Sequence, residues 1–306
     1  MIEIEFMRIL LTGATGFLGS ALAHHWVAVG HELCLLIRHS SNTNRVKSLL
    51  DSVRIERVVN ADLSIGIVSE FRPDAIVHTA CAYEKSGNSL LDLLDANLRM
   101  GLALLQATIT QDNGNVVFIN TNTVLEPDVN LYALSKSQFS QWAAIIASRR
   151  PERLKFINLR LQQIYGPGDD RSKFPTYVIE ACRLKEESIA LTSGEQRRDF
   201  IYIDDTVKAY DTILNHHREI VSNESIDIGS GVPVSISEFV KLVHKLTNTT
   251  TRLDFGSLPY RLNEPMLCVA DISRLSTLGW LPGFDLESGI RETLAKNAKT
   301  TIYNFR

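Results

Sequence analysis

Short apolar runs alternate with longer stretches of helical period through the first half of the chain. The runs are Arg8 to Thr12, Glu32 to Ile37, Val53 to Asn60, Ala75 to Thr79, Val116 to Ile119 and Leu154 to Leu159. The segments between them, such as Leu90 to Thr110 and Leu131 to Ser148, are long enough for crossover helices. This alternation predicts an α/β fold, a parallel sheet covered on both faces by helices. After Leu159 the rhythm changes at the turn-rich Tyr165-Gly-Pro-Gly-Asp-Asp170, and a smaller C-terminal α/β lobe is expected to follow. Strand-like runs at Asp199 to Ile203 and Ser225 to Ile228 are expected to return to the main sheet. The predicted division is therefore interleaved: 1–165 with returns near 199–229 in the first domain, 166–198 and 230–306 in the second.

Composition narrows the class. With 306 residues, 44% apolar and 22% charged, the chain can bury a large core. Its 32 Lys and Arg against 35 Asp and Glu give a net charge of -3, which argues against a basic nucleic-acid footprint and a long acidic tail. Any anionic ligand must be held by local groups. Cys34, Cys81, Cys182 and Cys268 lie far apart without C-x-x-C or Cys/His spacing, so neither a disulfide framework nor a metal site is expected. The opening residues carry two acids where a signal peptide needs bases, and no apolar run reaches membrane-spanning length. A soluble cytoplasmic protein without membrane or nucleic-acid partners is the expectation.

Directly after the first run comes Gly13-Ala-Thr-Gly-Phe-Leu-Gly19, leading into an apolar helix that ends near Gly30. Glycines between a strand and a helix allow a tight turn, close approach to a pyrophosphate and close helix-to-strand packing, while the helix N-terminus favours an anion. That setting points to a dinucleotide and makes the predicted fold a Rossmann-type doubly wound parallel sheet. Gly13, Thr15, Gly16, Phe17, Leu18 and Gly19 are candidate cofactor contacts, together with Ala80 after the fourth run.

The residue closing the second strand selects the cofactor, because an acid there bonds ribose hydroxyls whereas an Arg can pair with a 2'-phosphate. Arg38 stands there, followed by His39, Ser40 and Ser41. NADPH is the expected cofactor, with NAD(H) the alternative, since a solvated surface Arg is also common. Asp62 and Leu63 suit an adenine-edge contact, although an Asp in a turn is equally a capping residue.

Tyr132-Ala-Leu-Ser-Lys136 places a Tyr and a Lys on one helix face, where an ammonium is expected to stabilise the phenolate and lower the Tyr pKa. Such a Tyr can pass its proton to a carbonyl oxygen as a hydride reaches the carbon. The pair alone describes many surface helices. Here it follows the fifth run, which ends Asn120-Thr121-Asn122-Thr123 and offers a hydroxyl for the same oxygen.

Taken in order, these motifs resemble the extended short-chain dehydrogenase/reductases of the NAD-dependent epimerase/dehydratase family. The resemblance covers nearly the whole chain, adding Asn97, Arg160-Leu-Gln-Gln-Ile-Tyr-Gly-Pro-Gly-Asp169, Arg198-Asp-Phe-Ile-Tyr-Ile-Asp-Asp205 and Leu278-Gly-Trp-Leu-Pro282. Tyr165 to Asp169 with Lys173 and Phe174, Thr192 to Phe200, and Arg261-Leu-Asn-Glu-Pro-Met266 further resemble the nucleotide-sugar 4-ketoreductases of the CDP-abequose and CDP-paratose synthase group. The resemblance implies Tyr132 as general acid/base, Lys136 as the residue that binds the nicotinamide ribose and tunes that Tyr, and Thr121 as the carbonyl-binding hydroxyl. Thr123 is the alternative should the strand end be shifted. It implies Arg198 and Arg261 as diphosphate ligands, a role that suits a planar fork, with Lys173 and Gln163 among the substrate contacts. Two departures matter. Dehydratases of this family follow the hydroxyl with an Asp-Glu pair, whereas Thr121 is followed by Asn122-Thr123. Gln163 stands where many relatives have Asn.

The activity so implied is NADPH-dependent reduction of the C4 keto group of a nucleotide-diphospho-4-keto-6-deoxy or 3,6-dideoxy hexose, yielding a deoxysugar donor for surface polysaccharide such as O-antigen. A CDP-linked sugar is favoured, with dTDP or GDP as alternatives. An NAD-dependent nucleotide-sugar 4-epimerase would use the same residues with tightly held NAD, and Arg38 argues against it. A non-catalytic dinucleotide sensor would not require the Tyr132/Lys136 pair. A homodimer through the helices near Leu90 to Thr110 and Leu131 to Ser148 is also implied.

Overall fold

The computed structural model describes residues 5–59, 61–84, 89–110 and 114–303, with the backbone alone for Leu63 and 299–303. Asn60, at the end of the third run, lies outside the described residues. The elements follow one another as β1 (Arg8–Thr12), α1 (Phe17–Ala28), β2 (Glu32–Arg38), β3 (Arg54–Val58), α2 (Ser64–Phe71), β4 (Ala75–His78), α3 (Leu90–Leu94), α4 (Met100–Thr110), β5 (Val116–Thr123), α5 (Leu131–Arg149) and β6 (Leu154–Leu161). Then come β7 (Gln163–Tyr165), α6 (Phe174–Arg183), β8 (Ser188–Ala190), β9 (Arg197–Tyr202), α7 (Ile203–Asn215), β10 (Glu224–Ile228), β11 (Pro233–Ser235), α8 (Ile236–Thr247), β12 (Arg252–Asp254), β13 (Leu267–Cys268), α9 (Ser273–Thr277) and α10 (Leu286–Tyr303). Two compact units result: residues 1–160 with 210–226, and 161–209 with 227–306.

The first unit is built on a seven-stranded sheet in the order β10-β6-β5-β4-β1-β2-β3. Its pairs β1–β2, β1–β4, β2–β3 and β4–β5 are parallel, the doubly wound Rossmann-type arrangement. The interior of β2 and all of β4 are buried, which is why both read as unbroken apolar runs. Leu10, Leu36, Ile76, Leu104, Phe118, Phe139 and Phe156 form the centre of the core. The stretch read as one helix from Leu90 to Thr110 is three pieces, α3 and α4 joined by a π-helical turn, Asp95–Arg99, that carries Asn97. A capping box of Ser89 and Asp92 starts α3, and the Asn130 side chain, accepting from the Ala133 amide at 2.8 Å, starts α5.

In the second unit β9 pairs with β11, β13 and β7 in a four-stranded sheet, and β8 with β12 in a two-stranded one. Of the two strands expected to rejoin the main sheet, β10 stands at its edge beside β6, whereas β9 pairs elsewhere. The edge place is filled by β10, and β9 is anchored by buried Asp199. The Asp199 carboxylate accepts from Ser230 N (2.7 Å), Ser230 Oγ (2.7 Å), Gly231 N (2.9 Å) and Ala270 N (3.1 Å). Asp205 ties two sequence motifs together: its carbonyl accepts from Trp280 Nε1 at 3.2 Å and its carboxylate from Phe284 N at 2.9 Å. Among the described residues no helix is long and apolar enough to cross a membrane.

Candidate active site

The glycine loop lies between β1 and α1 and is shaped by close backbone approach. Gly13 has φ +69°, and a Cβ there would stand 2.6 Å from the Ala80 amide nitrogen. A Cβ on Gly19 would collide with the Gly13 carbonyl and approach Thr79 Oγ1. Larger residues would thus push the loop, the helix and the end of β4 apart. Gly16 caps α1 with an exposed, extended backbone and no side-chain hydrogen bond, so the amides of the first turn remain available to an anion. Leu18 is buried, and Thr15 and Phe17 are partly exposed. The loop is latched to β4: Ala80 N donates to Thr12 Oγ1 (3.2 Å), Thr79 Oγ1 donates to the Thr12 carbonyl (2.8 Å), and Thr12 Oγ1 lies 2.8 Å from His78 Nδ1. Burial, with the nearby Lys136 ammonium, holds the His78 pKa down at about 3, so that ring is neutral.

Arg38 is exposed at the end of β2 and borders a cleft of ≈ 230 Å³ whose walls include Val58, Ala61, Asp92, Ala96 and Arg99. Asp62, the adenine-edge candidate, has an exposed side chain. Its carboxylate accepts from Arg99 Nη2 at 2.9 Å, because the π-helical turn brings that guanidinium over the 61–63 turn. The side chain of Leu63 lies outside the described residues.

Tyr132 and Lys136 share the first turns of α5. Lys136 is 1% exposed and its Nζ has no hydrogen-bond partner among the described residues. Burial lowers its pKa to about 8. The Tyr132 ring lies against Tyr83 with centroids 4.8 Å apart, and the two phenols are hydrogen-bonded. Against the expectation of a phenol acidified by Lys136, the Tyr132 pKa is pushed up. Burial is the first cause, and Cys81 and Tyr210 add to it. Desolvation of the phenolate outweighs a Lys136 ammonium that makes no contact with the phenol oxygen. Thr121, two residues before the end of β5, has its Oγ1 2.7 Å from the Tyr210 hydroxyl. Thr123 Oγ1 accepts locally from Leu125 N at 3.2 Å.

Strand alternation explains what becomes of Asn122, the residue that stands where dehydratases place an acid. It points to the opposite side of β5 from Thr121 and Thr123 and donates to Ser140 Oγ on α5 at 3.0 Å. Asn120 likewise donates to Asn158 Oδ1 (2.9 Å) and to Ser140 Oγ (3.3 Å), and Ser140 Oγ donates to the Lys136 carbonyl (3.1 Å). This polar ladder clamps α5 onto the sheet at the level of Lys136. From the other side, buried Asn97 accepts from Ala82 N (2.7 Å) and donates to the Ala82 carbonyl (2.9 Å) and Ser135 Oγ (2.9 Å). Asn120, Ser140, Asn158 and Tyr210 carried no motif, because their partners lie 18 to 89 positions away.

The remaining candidates are in the second unit. Arg198 is buried at 5% exposure, donates to the Arg197 carbonyl at 2.8 Å and is ion-paired with Glu264. The pairing of β13 with β9 brings the 261–266 stretch beside it, with Arg197 N donating to the Met266 carbonyl at 2.8 Å. Arg261 is exposed at the start of that stretch. Lys173 pairs with buried Asp169 at 2.9 Å, and the buried Gln163 Oε1 has no hydrogen-bond partner among the described residues.

Comparison with known proteins extends across the chain. It is 31% identical over 300 residues to the CDP-abequose synthase of Salmonella typhimurium, covering 94% of this chain and 97% of that one. The UDP-glucose 4-epimerase of Thermotoga maritima, solved with UDP-glucose, has a TM-score of 0.82 at 24% identity over 96% of this chain and 100% of its own. The UDP-glucuronic acid 4-epimerase of Bacillus cereus, solved with UDP-glucuronic acid and NAD, gives 0.81 at 22% identity over 96% and 100%. These structures share the fold. With residues 9–229 matching its pattern, the chain belongs to the NAD dependent epimerase/dehydratase family.

Proposed function

We propose that this protein reduces the C4 keto group of a nucleotide-diphospho-4-keto-6-deoxy or 3,6-dideoxy hexose with NADPH, the CDP-linked sugar being favoured. The observation that carries the reading is a hydroxyl, a phenol and a buried ammonium, Thr121, Tyr132 and Lys136, gathered in one unit while Asn122 is turned away to Ser140. Proton transfer to an oxygen is thereby provided for, and the acid pair that elimination of water needs is not. The similarity to a CDP-abequose synthase supports a deoxysugar substrate.

Two features fit a nicotinamide dinucleotide: the Gly13–Gly19 cradle, which a Cβ would fill, and the orphaned Lys136 Nζ. When bound, that group supplies the hydride. The amides of the first turn of α1 hold the pyrophosphate, and Lys136, still charged at neutral pH, binds ribose hydroxyls. Tyr132, kept neutral by burial, is in the form required to give its proton to the carbonyl oxygen, and Thr121 donates a hydrogen bond to that oxygen. In the second unit, Arg198 and Arg261 bind the diphosphate, with Lys173 and Gln163 as further contacts. Arg198 exchanges Glu264 for the phosphate when substrate arrives.

Arg38 bears on the choice between reduction and epimerisation, because a 4-epimerase retains its dinucleotide and has no use for a phosphate-selecting arginine. Purified protein is expected to consume added NADPH one for one with product; turnover without net consumption would indicate the epimerase. Arg38→Ala is expected to raise the KM for NADPH by about 10- to 100-fold, the worth of one or two charge-assisted hydrogen bonds, and to leave the KM for NADH nearly unchanged. Equal effects on both cofactors would remove Arg38 from that role.

A homodimer completes the proposal. The outer faces of α3 and α5 expose Leu90, Leu91, Leu94, Trp142 (56%) and Ile145 (55%), an apolar surface suited to a second copy of the same helices. Light scattering at micromolar concentration is expected to give twice the chain mass, and a monomer would contradict it.

A further inference from the structure

Tyr210 lies in the middle of α7, where the chain re-enters the first unit, and its side chain is fully buried at 0% exposure. Its phenol oxygen stands 2.7 Å from Thr121 Oγ1, and neither oxygen has another hydrogen-bond partner among the described residues. A buried phenol whose proton meets no acceptor is strongly disfavoured. The one acceptor in reach is the threonine oxygen. Burial also pushes the Tyr210 pKa up, so the proton stays on the phenol. Thr121, by contrast, is only partly buried, two residues before the end of β5.

The direction of this hydrogen bond decides what Thr121 can do. If Thr121 donated to Tyr210, its own proton would be used and the phenol proton would be stranded. We infer that Tyr210 is a positioning residue for the carbonyl chemistry, donating to Thr121 Oγ1 and so leaving the threonine O–H free to point at the substrate carbonyl oxygen. A hydroxyl that already accepts one hydrogen bond is also a stronger donor in the next. Tyr210 does not touch the substrate in this account; it acts through Thr121. A threonine side chain has three rotamers and its proton three more positions, and Tyr210 selects the combination that catalysis requires. The inference rests on the reading of Thr121 as the carbonyl-binding hydroxyl.

The test is a double-mutant cycle of Tyr210→Phe and Thr121→Ala, assayed on whichever nucleotide sugar the wild type turns over, a 4-keto sugar or a plain NDP-hexose. Y210F keeps the ring and removes only the hydroxyl, and Tyr210→Leu, which also lacks a donor, replaces it should Y210F not accumulate folded. The expected result is a fall in kcat of about tenfold for Y210F with KM unchanged within about twofold, since one aligned hydrogen bond is lost in the transition state alone. The double variant is expected to be no slower than T121A alone, because the effect of Tyr210 passes through a hydroxyl that T121A has already removed. A purely structural Tyr210 would lower kcat in both backgrounds. Unchanged kcat in Y210F, or losses that multiply in the double variant, overturn the inference while leaving the proposed function standing. A wild type inert on every nucleotide sugar overturns the proposed function and this inference with it.

Discussion

Replacing Tyr132 by Phe is expected to lower kcat by about a thousandfold, with the dissociation constant for the dinucleotide unchanged within about twofold. The prediction follows from the division of labour in the first unit. Tyr132 is the one phenol on the helix face shared with Lys136, and burial holds it protonated, so under the proposed function it is the group that delivers a proton as negative charge develops on the carbonyl oxygen. The ring itself is a packing element against Tyr83, 4.8 Å between centroids, and phenylalanine preserves that contact. The proposed cofactor contacts are on the glycine loop, at Arg38 and at Lys136, and the substitution leaves all of them in place. Single-turnover kinetics together with dinucleotide fluorescence titration separate the two quantities. Turnover within tenfold of the wild type would show that another group supplies the proton.

Replacing Lys136 by Met is expected to stabilise the unliganded protein while lowering kcat by about a hundredfold. Lys136 Nζ is buried without a partner, and its pKa of about 8 lies well below the 10.5 of a solvated lysine. At about 1.4 kcal/mol per unit, the buried charge costs up to about 3 kcal/mol at pH 7, and methionine of similar shape removes that cost. The sign of the pH dependence follows. Below pH 8 the folded and unfolded forms both carry the proton and the full cost is present. Between pH 8 and 10.5 the folded form releases it first, so the wild type gains stability with rising pH and its deficit against K136M closes. Urea unfolding without cofactor at pH 7 and pH 10 measures both points. A less stable K136M at pH 7 would mean that Nζ has a stabilising partner. Retained stability with lost activity is the pattern of a group kept for chemistry.

Much of the first unit could be read from short stretches of sequence because its determinants are local. Runs such as Ala75 to Thr79 are apolar throughout since the parallel sheet is covered on both faces, and the glycine loop follows a strand and opens a helix within a dozen residues. What escaped reading depends on distant pairing. Tyr210 meets Thr121 across 89 positions, and Asn120 meets Asn158 across 38. The Arg99 partner of Asp62, a residue read as an adenine-edge contact or a cap, is brought to it by a π-helical turn that no local pattern announces. The place of β9 depended on Asp199 finding amides at Ser230, Gly231 and Ala270. The acidity of Tyr132 was misjudged for a related reason: spacing gives its distance from Lys136 along the helix, whereas the burial that dominates comes from residues elsewhere in the chain.

The most direct measurement is the loss of NADPH absorbance on adding CDP-4-keto-3,6-dideoxyglucose, with dTDP- and GDP-linked 4-keto-6-deoxysugars in parallel. The account predicts rapid oxidation, one NADPH per sugar, with one of the three and most readily the CDP-linked one. Absence of oxidation with all of them, alongside interconversion of a plain NDP-hexose at constant NADPH, would contradict it and identify an epimerase.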